Sequence, residues 1–489
     1  MAVATREYLL FVNGEATEPS GGDVTELTEP ATGEPLAKVA LATRQDVDRA
    51  VDAARAALDG DWGRTPPTER SRLLHALADT IQANRKELTE LEVRNVGKAI
   101  SSVKAELHQG VENFRFYASA IGSIAGRSNP IGGSLLFYSL KEPVGVAGQI
   151  VPWNYPLMMT TWKLAPALAA GCSVVLKPDS QTPLSALRMA ELASEVGFPP
   201  GAINVVPGPG TTVGAHLVQH PGVDKIAFTG STATGAEIMR LGSDSIKRLT
   251  LELGGKSPNL VFADANLEDA IPSSVWSIYY SAGQSCEARS RVLVEQPLYD
   301  EFVERFARGA EAIKVGDPLE PETQMGSLVS EAHRSKVHGY VERGIEEGAE
   351  VVTGGKPADG AGAFYPPTVL AKVDNAMSVA QEEIFGPVVT VTPFEDEKDA
   401  ARLANDVRYG LMATVWTGDP AKGHRLARRI KAGTVGINMP YTAFPGIPFG
   451  GYKQSGFGRE LGLETLELYL ETKSVIVSTS PKPFNPFGL

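Results

Sequence analysis

The sequence predicts an α/β protein: a parallel sheet of Rossmann type, a second α/β block, and a small β element belonging to neither. Three observations carry this. From about residue 144, short apolar runs alternate with stretches of helical periodicity, the pattern of β-α-β units around a parallel sheet. After Gly254-Gly255 the alternation resumes and continues to about residue 450. Two further strand-like stretches, residues 134–140 and 474–478, fit neither run. Isolated strands are not stable, so these must pair with each other, with a domain, or with a neighbouring subunit.

The elements follow in order. The first 40 residues read as short strands and turns, with the Asn13-Gly14 hairpin signal. Thr43 and Asp46 resemble a capping box, and Val47, Ala50, Val51, Ala54 and Leu58 recur at helical spacing before Gly60. A second helix runs through Leu74, Leu77 and Ile81, and both helices read as packing against one side of a sheet. Strands are expected at 144–151, 173–176, 203–206, 225–228 and 249–253, with helices at 156–170 and 183–196. The second block has strands at 259–262, 291–294, 388–393, 413–416 and 434–438, and helices at 298–313 and 330–347.

Composition narrows the function. The 489 residues carry 46 basic and 58 acidic side chains, a net charge of −12, which disfavours a nucleic-acid backbone or an anionic membrane as partner. Two cysteines, Cys172 and Cys286, exclude a disulfide scaffold, leave one bridge formally open, and fit a reducing compartment better. The N-terminus has acidic residues by position 15 and no long apolar run, so it does not read as a signal peptide. Apolar stretches such as 164–176 fall short of the roughly 20 residues of a membrane-spanning helix. A soluble, cytoplasmic protein is expected. The seven histidines show no HExxH and no metal-ligand spacing, so no catalytic metal is expected.

Chemistry concentrates at strand ends and junctions. Cys286 follows an expected helix at 271–281, in Gly283-Gln284-Ser285-Cys286-Glu287. A helix N-terminus would lower a thiol pKa, yet a buried inert thiol is the blander reading. Cys172, before a buried strand, reads as a small core residue. Glu252 ends an apolar strand, where a carboxylate is either used or paired, for instance with Lys256. Asn154, after a strand, could donate to an oxyanion or cap the helix beginning at Pro156. Lys177 would point a cation into the same cleft. The run Phe228-Thr229-Gly230-Ser231 is strand, glycine, then helix, and can place a pyrophosphate at a helix N-terminus.

Together these residues make a nucleophile, a base, an oxyanion donor and a dinucleotide site, and here the sequence resembles the aldehyde dehydrogenase superfamily. The resemblance runs from Asn13-Gly14 to Ser474. It rests on Pro152-Trp153-Asn154-Tyr155-Pro156, Phe228-Thr229-Gly230-Ser231-Thr232, Leu251-Glu252-Leu253-Gly254-Gly255-Lys256 and Gly283-Gln284-Ser285-Cys286. Glu382-Glu383-Ile384-Phe385-Gly386-Pro387 and Pro448-Phe449-Gly450-Gly451 complete it. It implies an NAD(P)-binding domain from 1–124 and 143–254, a catalytic domain from 255–453, and an oligomerisation element with C-terminal tail from 125–142 and 454–489. A homotetramer or homodimer is implied as well.

The resemblance also implies roles. Cys286 attacks an aldehyde, Asn154 holds the oxyanion, and Glu252 activates the water that hydrolyses the thioester. Lys163 supports proton transfer. Cofactor contacts are implied for Ile150, Pro152, Trp153, Lys177, Ser180, Gly210, Thr229, Gly230, Ser231, Leu253, Glu383 and Phe385. Ser180 stands where NAD-preferring members usually carry a glutamate that repels a 2′-phosphate. The expectation is therefore a site that accepts NADP as well as NAD, with NADP a candidate for the preferred form. Tyr155, Trp162 and Phe449 suggest an aromatic-walled tunnel. An uncharged aldehyde fits it best, while betaine-type and amino aldehydes could use the walls through cation–π contacts. Glu287 reads either as a tuner of Cys286 or as part of a surface salt bridge. A CoA-acylating relative would lack Glu252, and a non-catalytic protein on this scaffold would have no need of all three residues. The Pro-rich tail, 481–489, is a candidate to close a neighbour's tunnel.

Overall fold

The Asn13-Gly14 pair has positive φ at both residues, 55° and 86°, the geometry that lets a two-residue turn follow strand twist. It joins Leu10–Val12 to Glu15–Thr17 as an antiparallel hairpin. The computed structural model describes residues 6–131, 133–439, 443–480 and 486–488. The expected tail contact concerns 481–489, most of which lies outside the described residues. The helix Arg44–Asp59 starts on the expected capping box: Thr43 Oγ1 accepts from the Asp46 N–H, and Asp46 Oδ2 accepts from the Thr43 N–H at 2.7 Å.

The hairpin extends an eight-stranded sheet. Its parallel centre starts at Val146–Ile150 and steps one way through Ser173–Lys177 and Ile203–Val205. The chain then returns to the other side with Lys225–Thr229 and Arg248–Glu252. Strand order therefore reverses between Val146–Ile150 and Lys225–Thr229, where Phe228 stands opposite Ile150. Loops leaving two such strands diverge and open a crevice at their carboxyl ends. Those loops begin at Val151 and Gly230.

A seven-stranded sheet follows, in the order Glu350–Thr353, Thr368–Ala371, Val388–Phe394, Arg291–Glu295, Pro258–Val261, Met412–Trp416 and Thr434–Ile437. Only its Glu350–Thr353 edge is antiparallel. That strand and Thr368–Ala371 are additions to the expected five; both have four residues, and Pro366-Pro367 hides the second. The two orphan strands pair with each other and are longer than expected, Leu135–Pro143 with Leu470–Ser478, antiparallel along nine positions. Ser128–Pro130 joins their sheet.

Two helices, Arg85–Val96 and Ile100–Ala120, lie in a region the sequence reading left blank. Gly110 and scattered charge weaken the pattern of the second. Its cause is close packing: a Cβ on Gly110 would meet Thr161 Cγ2 at 2.9 Å. The Asn113 amide donates to Thr161 O at 2.9 Å across the same contact. Thr161 belongs to Pro156–Ala170, a helix buried on every side, with Pro156 at its first turn.

Candidate active site

Cys286 is delivered by an interrupted helix. Leu267–Tyr279 runs into the single turn Tyr280–Gly283, where Ser281, Ala282 and Gly283 all have positive φ. A Cβ on Gly283 would lie 2.1 Å from Gly386 O, so only glycine fits. No helix begins at Cys286; the next element is the strand Arg291–Glu295. The thiol therefore has no helix dipole to lower its pKa. Burial pushes its pKa well above the usual value, and the carboxylates of Glu287, Glu252 and Glu383 push the same way. Only a small thiolate fraction is left at neutral pH, and a nearby base would enlarge it.

Asn154 does not cap the helix: Tyr155 is the N-cap, with no side-chain cap bond. Instead Asn154 Nδ2 donates to Gln284 O at 2.8 Å, two residues before the thiol. Gln284 Oε1 accepts from the Val329 N–H at 2.9 Å, which fixes the loop from its other side.

Glu252 ends its strand, and neither carboxylate oxygen has a hydrogen-bond partner among the described residues. The pairing with Lys256 does not form; among the described residues the buried Lys256 Nζ also has no hydrogen-bond partner. Gly450 makes room for the carboxylate, since a Cβ there would sit 2.7 Å from Glu252 Oε1. Burial drives the Glu252 pKa well up, and Glu460 adds to this while Lys163 and Arg459 oppose it. Lys163 is itself buried, with Nζ 2.8 Å from Glu460 Oε1.

At the other end, Thr229 Oγ1 is buried without a hydrogen-bond partner among the described residues. Gly230 follows, where a Cβ would strike the Phe228 ring at 2.4 Å. Ser231 caps the helix Thr232–Gly242. An orphaned hydroxyl, a glycine without room for a side chain and a helix N-terminus fit a dinucleotide pyrophosphate. Glu383 Oε1 accepts from the Gly255 N–H at 2.9 Å, and burial raises its pKa to about 7. Phe385 holds φ at 63° and stands edge-on to Trp153, centroids 5.2 Å apart. His333 Nε2 bonds Phe385 O at 2.7 Å.

One cavity of about 860 Å³ gathers Asn154, Glu252, Cys286, Tyr155, Trp162 and Phe449. It also takes in Pro152, Trp153, Thr229, Gly230, Ser231, Leu253, Glu383 and Phe385. Ile150, Lys163, Lys177, Ser180 and Gly210 do not line it. Ile150 and Lys177 stand opposite each other at the ends of adjacent strands. Lys177 is buried and does not line this cavity. The thiol and Glu383-Phe385 sit in loops that precede strands of the second sheet, so its amino ends face the carboxyl ends of the first.

The aromatic wall forms as expected, with Trp162 and Phe449 edge-on at 5.4 Å. Glu106, Trp276 and Tyr280 also line the cavity and were not anticipated. The buried stripe Ser102, Val103, Glu106, Leu107, Gly110 has helical spacing, and an acid within such a stripe is the signal that could have found Glu106. Glu287 is no surface ion pair: it lines the cavity and pairs with Arg289, which is fully buried. Histidines do cluster away from the cavity, where His216 Nε2 and His220 Nε2 lie 2.6 and 3.3 Å from Asp48 Oδ1. His220 Nδ1 accepts from the Gly222 N–H, so the proton of the neutral ring sits on Nε2, which faces the Asp48 carboxylate.

The sequence model of the Aldehyde dehydrogenase family matches residues 17–475. The chain belongs to that family. Among aldehyde dehydrogenases and their relatives it is 46% identical over 472 residues to DhaS of Bacillus subtilis, covering 96% of this chain and 95% of that protein. Betaine aldehyde dehydrogenase of the same organism is 43% identical, with 98% and 99% covered. An aldehyde dehydrogenase from Bacillus cereus, solved as an NAD+ complex, superposes with a TM-score of 0.95 at 47% identity, covering 96% of each chain. This chain is an enzyme, and its reaction is NAD(P)-dependent oxidation of an aldehyde. No helix among the described residues is long and apolar enough to cross a membrane.

Proposed function

We propose that Cys286, Asn154 and Glu252 carry out this oxidation through a thioester that water cleaves. The convergence of the three in one cavity, with the Glu252 carboxylate free of hydrogen bonds among the described residues, carries the reading. Glu252 takes the thiol proton as Cys286 Sγ bonds the aldehyde carbon. Asn154 Nδ2 and the Cys286 N–H donate to the resulting oxyanion. The nicotinamide, when bound, supplies the hydride acceptor that turns the thiohemiacetal into a thioester. Glu252 then takes a proton from water, the oxygen adds to the carbonyl, and the C–S bond breaks to release the acid. Between its two uses Glu252 must shed a proton, and the buried Lys163–Glu460 pair offers the route. Thr229, Gly230 and Ser231 would hold the pyrophosphate, Lys177 the adenosine ribose, and Glu383 and Phe385 the nicotinamide half. Ile150, Pro152, Trp153, Gly210 and Leu253 complete that site. Reduced-nicotinamide absorbance across an aldehyde panel, without CoA, tests the reading; turnover that requires CoA contradicts it.

Asn154→Ala should lower kcat by about 100- to 1000-fold, the usual loss of an oxyanion donor. Alkylation of Cys286 by iodoacetamide should change far less; a parallel loss would mean that the loop, not the oxyanion, depends on Asn154. The pH profile follows from the raised Glu252 pKa. The base works only when ionised, so activity rises with pH through that value, and the acid limb should lie well above the ordinary glutamate range. An acid limb near pH 4.5 would exclude Glu252 as the base.

Ser180 supports NADP use. Asp179, its neighbour, is turned to its own loop, with Oδ1 accepting from the Gln181 N–H at 2.9 Å. A 44% identical relative in Escherichia coli, PuuC, is named an NADP/NAD-dependent aldehyde dehydrogenase. Ser180→Glu should shift the kcat/KM ratio toward NAD by at least about tenfold, roughly 1.4 kcal/mol; an unchanged ratio removes Ser180 from cofactor choice. Leu135, Leu136, Tyr138 and Leu140 are exposed on one orphan strand and Ile476 on the other, which favours assembly as a homodimer or homotetramer. The cytoplasm suits two free thiols, one of them the nucleophile.

A further inference from the structure

We infer that the substrate end of the cavity selects an aldehyde bearing a positive charge, an amino or quaternary ammonium aldehyde, through Glu106 and Glu287. The inference rests on the reading of Cys286 as nucleophile and departs from the uncharged substrate that the aromatic residues alone suggest.

Glu106, from the helix Ile100–Ala120, lines the cavity and is 2% exposed. It shares one buried ammonium with a second carboxylate: Lys98 Nζ bonds Glu106 Oε2 and lies 3.8 Å from Glu92 Oε1. The group carries two acids for one base. Lys98 does not line the cavity; it sits behind the wall, 4.3 Å from the Tyr155 ring centroid. Among the described residues, Glu106 Oε1 accepts only a long bond from Tyr280 OH, 3.4 Å. Burial pushes Glu106 up to about 7, and a cation beside it would favour the charged form.

Glu287 is next to the nucleophile and also faces the cavity, with its counter-ion Arg289 fully buried. Tyr155 and Tyr280 each feel the charge of both acids, and Trp162 lines the same cavity. Among the described residues the one lysine or arginine lining the cavity is Lys336, whose field falls on Glu383 and His333 at the cofactor end. Carboxylates beside aromatic faces, with their counter-ions Lys98 and Arg289 outside the cavity lining, are the chemistry that holds an ammonium group.

Choline and 3,3-dimethylbutan-1-ol have the same shape and differ in charge, and neither needs to be oxidised to bind. Each is titrated for protection of Cys286 against iodoacetamide, in wild type and in Glu287→Gln and Glu106→Gln. Choline should protect at concentrations at least about tenfold lower, and each variant should shrink that ratio about fivefold or more. Equal potency of the two alcohols in wild type, or a ratio unchanged in both variants, overturns the inference. If Glu106→Gln fails to fold, Glu287→Gln alone decides. Propanal oxidation, measured separately, tests the reading of Cys286, so a failure of either is seen by itself.

Discussion

Cys286→Ser should lose aldehyde-dependent NAD(P) reduction by about four orders of magnitude or more, the scale on which nucleophile deletions act. A serine hydroxyl is a weaker acid than the thiol it replaces, and the site makes ionisation harder still. Burial and the carboxylates of Glu287, Glu252 and Glu383 already raise the thiol. What the cysteine keeps is intrinsic nucleophilicity: a small thiolate fraction reacts fast, and an alkoxide at this position would be rarer by orders of magnitude. The substitution removes little volume at a partly buried residue, so Tm should hardly move. Retained turnover in a well-folded variant would place the nucleophile elsewhere.

Glu252→Gln should lower steady-state turnover by about 100- to 10,000-fold, within the usual range for a general base. The two half-reactions should suffer unequally. Cys286 can attack without help through its thiolate fraction, whereas water, with a pKa of about 15.7, has no comparable route. A first turnover should therefore survive as a burst. Stability supplies an independent readout. The folded Glu252 pKa is raised, chiefly by burial and then by Glu460. A group of that kind contributes stability below its unfolded pKa and loses it as pH rises through the folded one. The glutamine variant does not titrate, so its Tm should gain on wild type as pH rises through the raised pKa. A constant Tm difference across pH would mean that Glu252 is not held in a desolvated site.

Local chemistry was legible in the sequence because each residue type had few other uses at its position. A carboxylate ending an apolar strand had to be paired or used, and Glu252 turns out unpaired. Two distant orphan strands had to pair, and Leu135–Pro143 lies against Leu470–Ser478. Less legible was whatever depends on helix-to-helix approach. Gly110 weakens the periodicity of Ile100–Ala120 because it lies against Thr161, and Glu106 was lost with that helix. The rule that ligands gather at carboxyl ends of strands located Asn154, Glu252 and Thr229. It could not locate Cys286, Glu383 or Phe385, which come from loops before strands of the second sheet. The pKa of Cys286 was legible only in part: Glu287 is its neighbour in the chain, whereas burial and the carboxylates of Glu252 and Glu383 are brought there by the fold.

Rapid-quench intact-mass analysis of Glu252→Gln, mixed with aldehyde and NAD in the absence of CoA, tests the central claim most directly. One equivalent of NADH should form in a burst, matched by one acyl adduct that peptide mapping places on Cys286 and that decays slowly. No burst, an adduct on another residue, or an adduct that clears as fast as in wild type would contradict it.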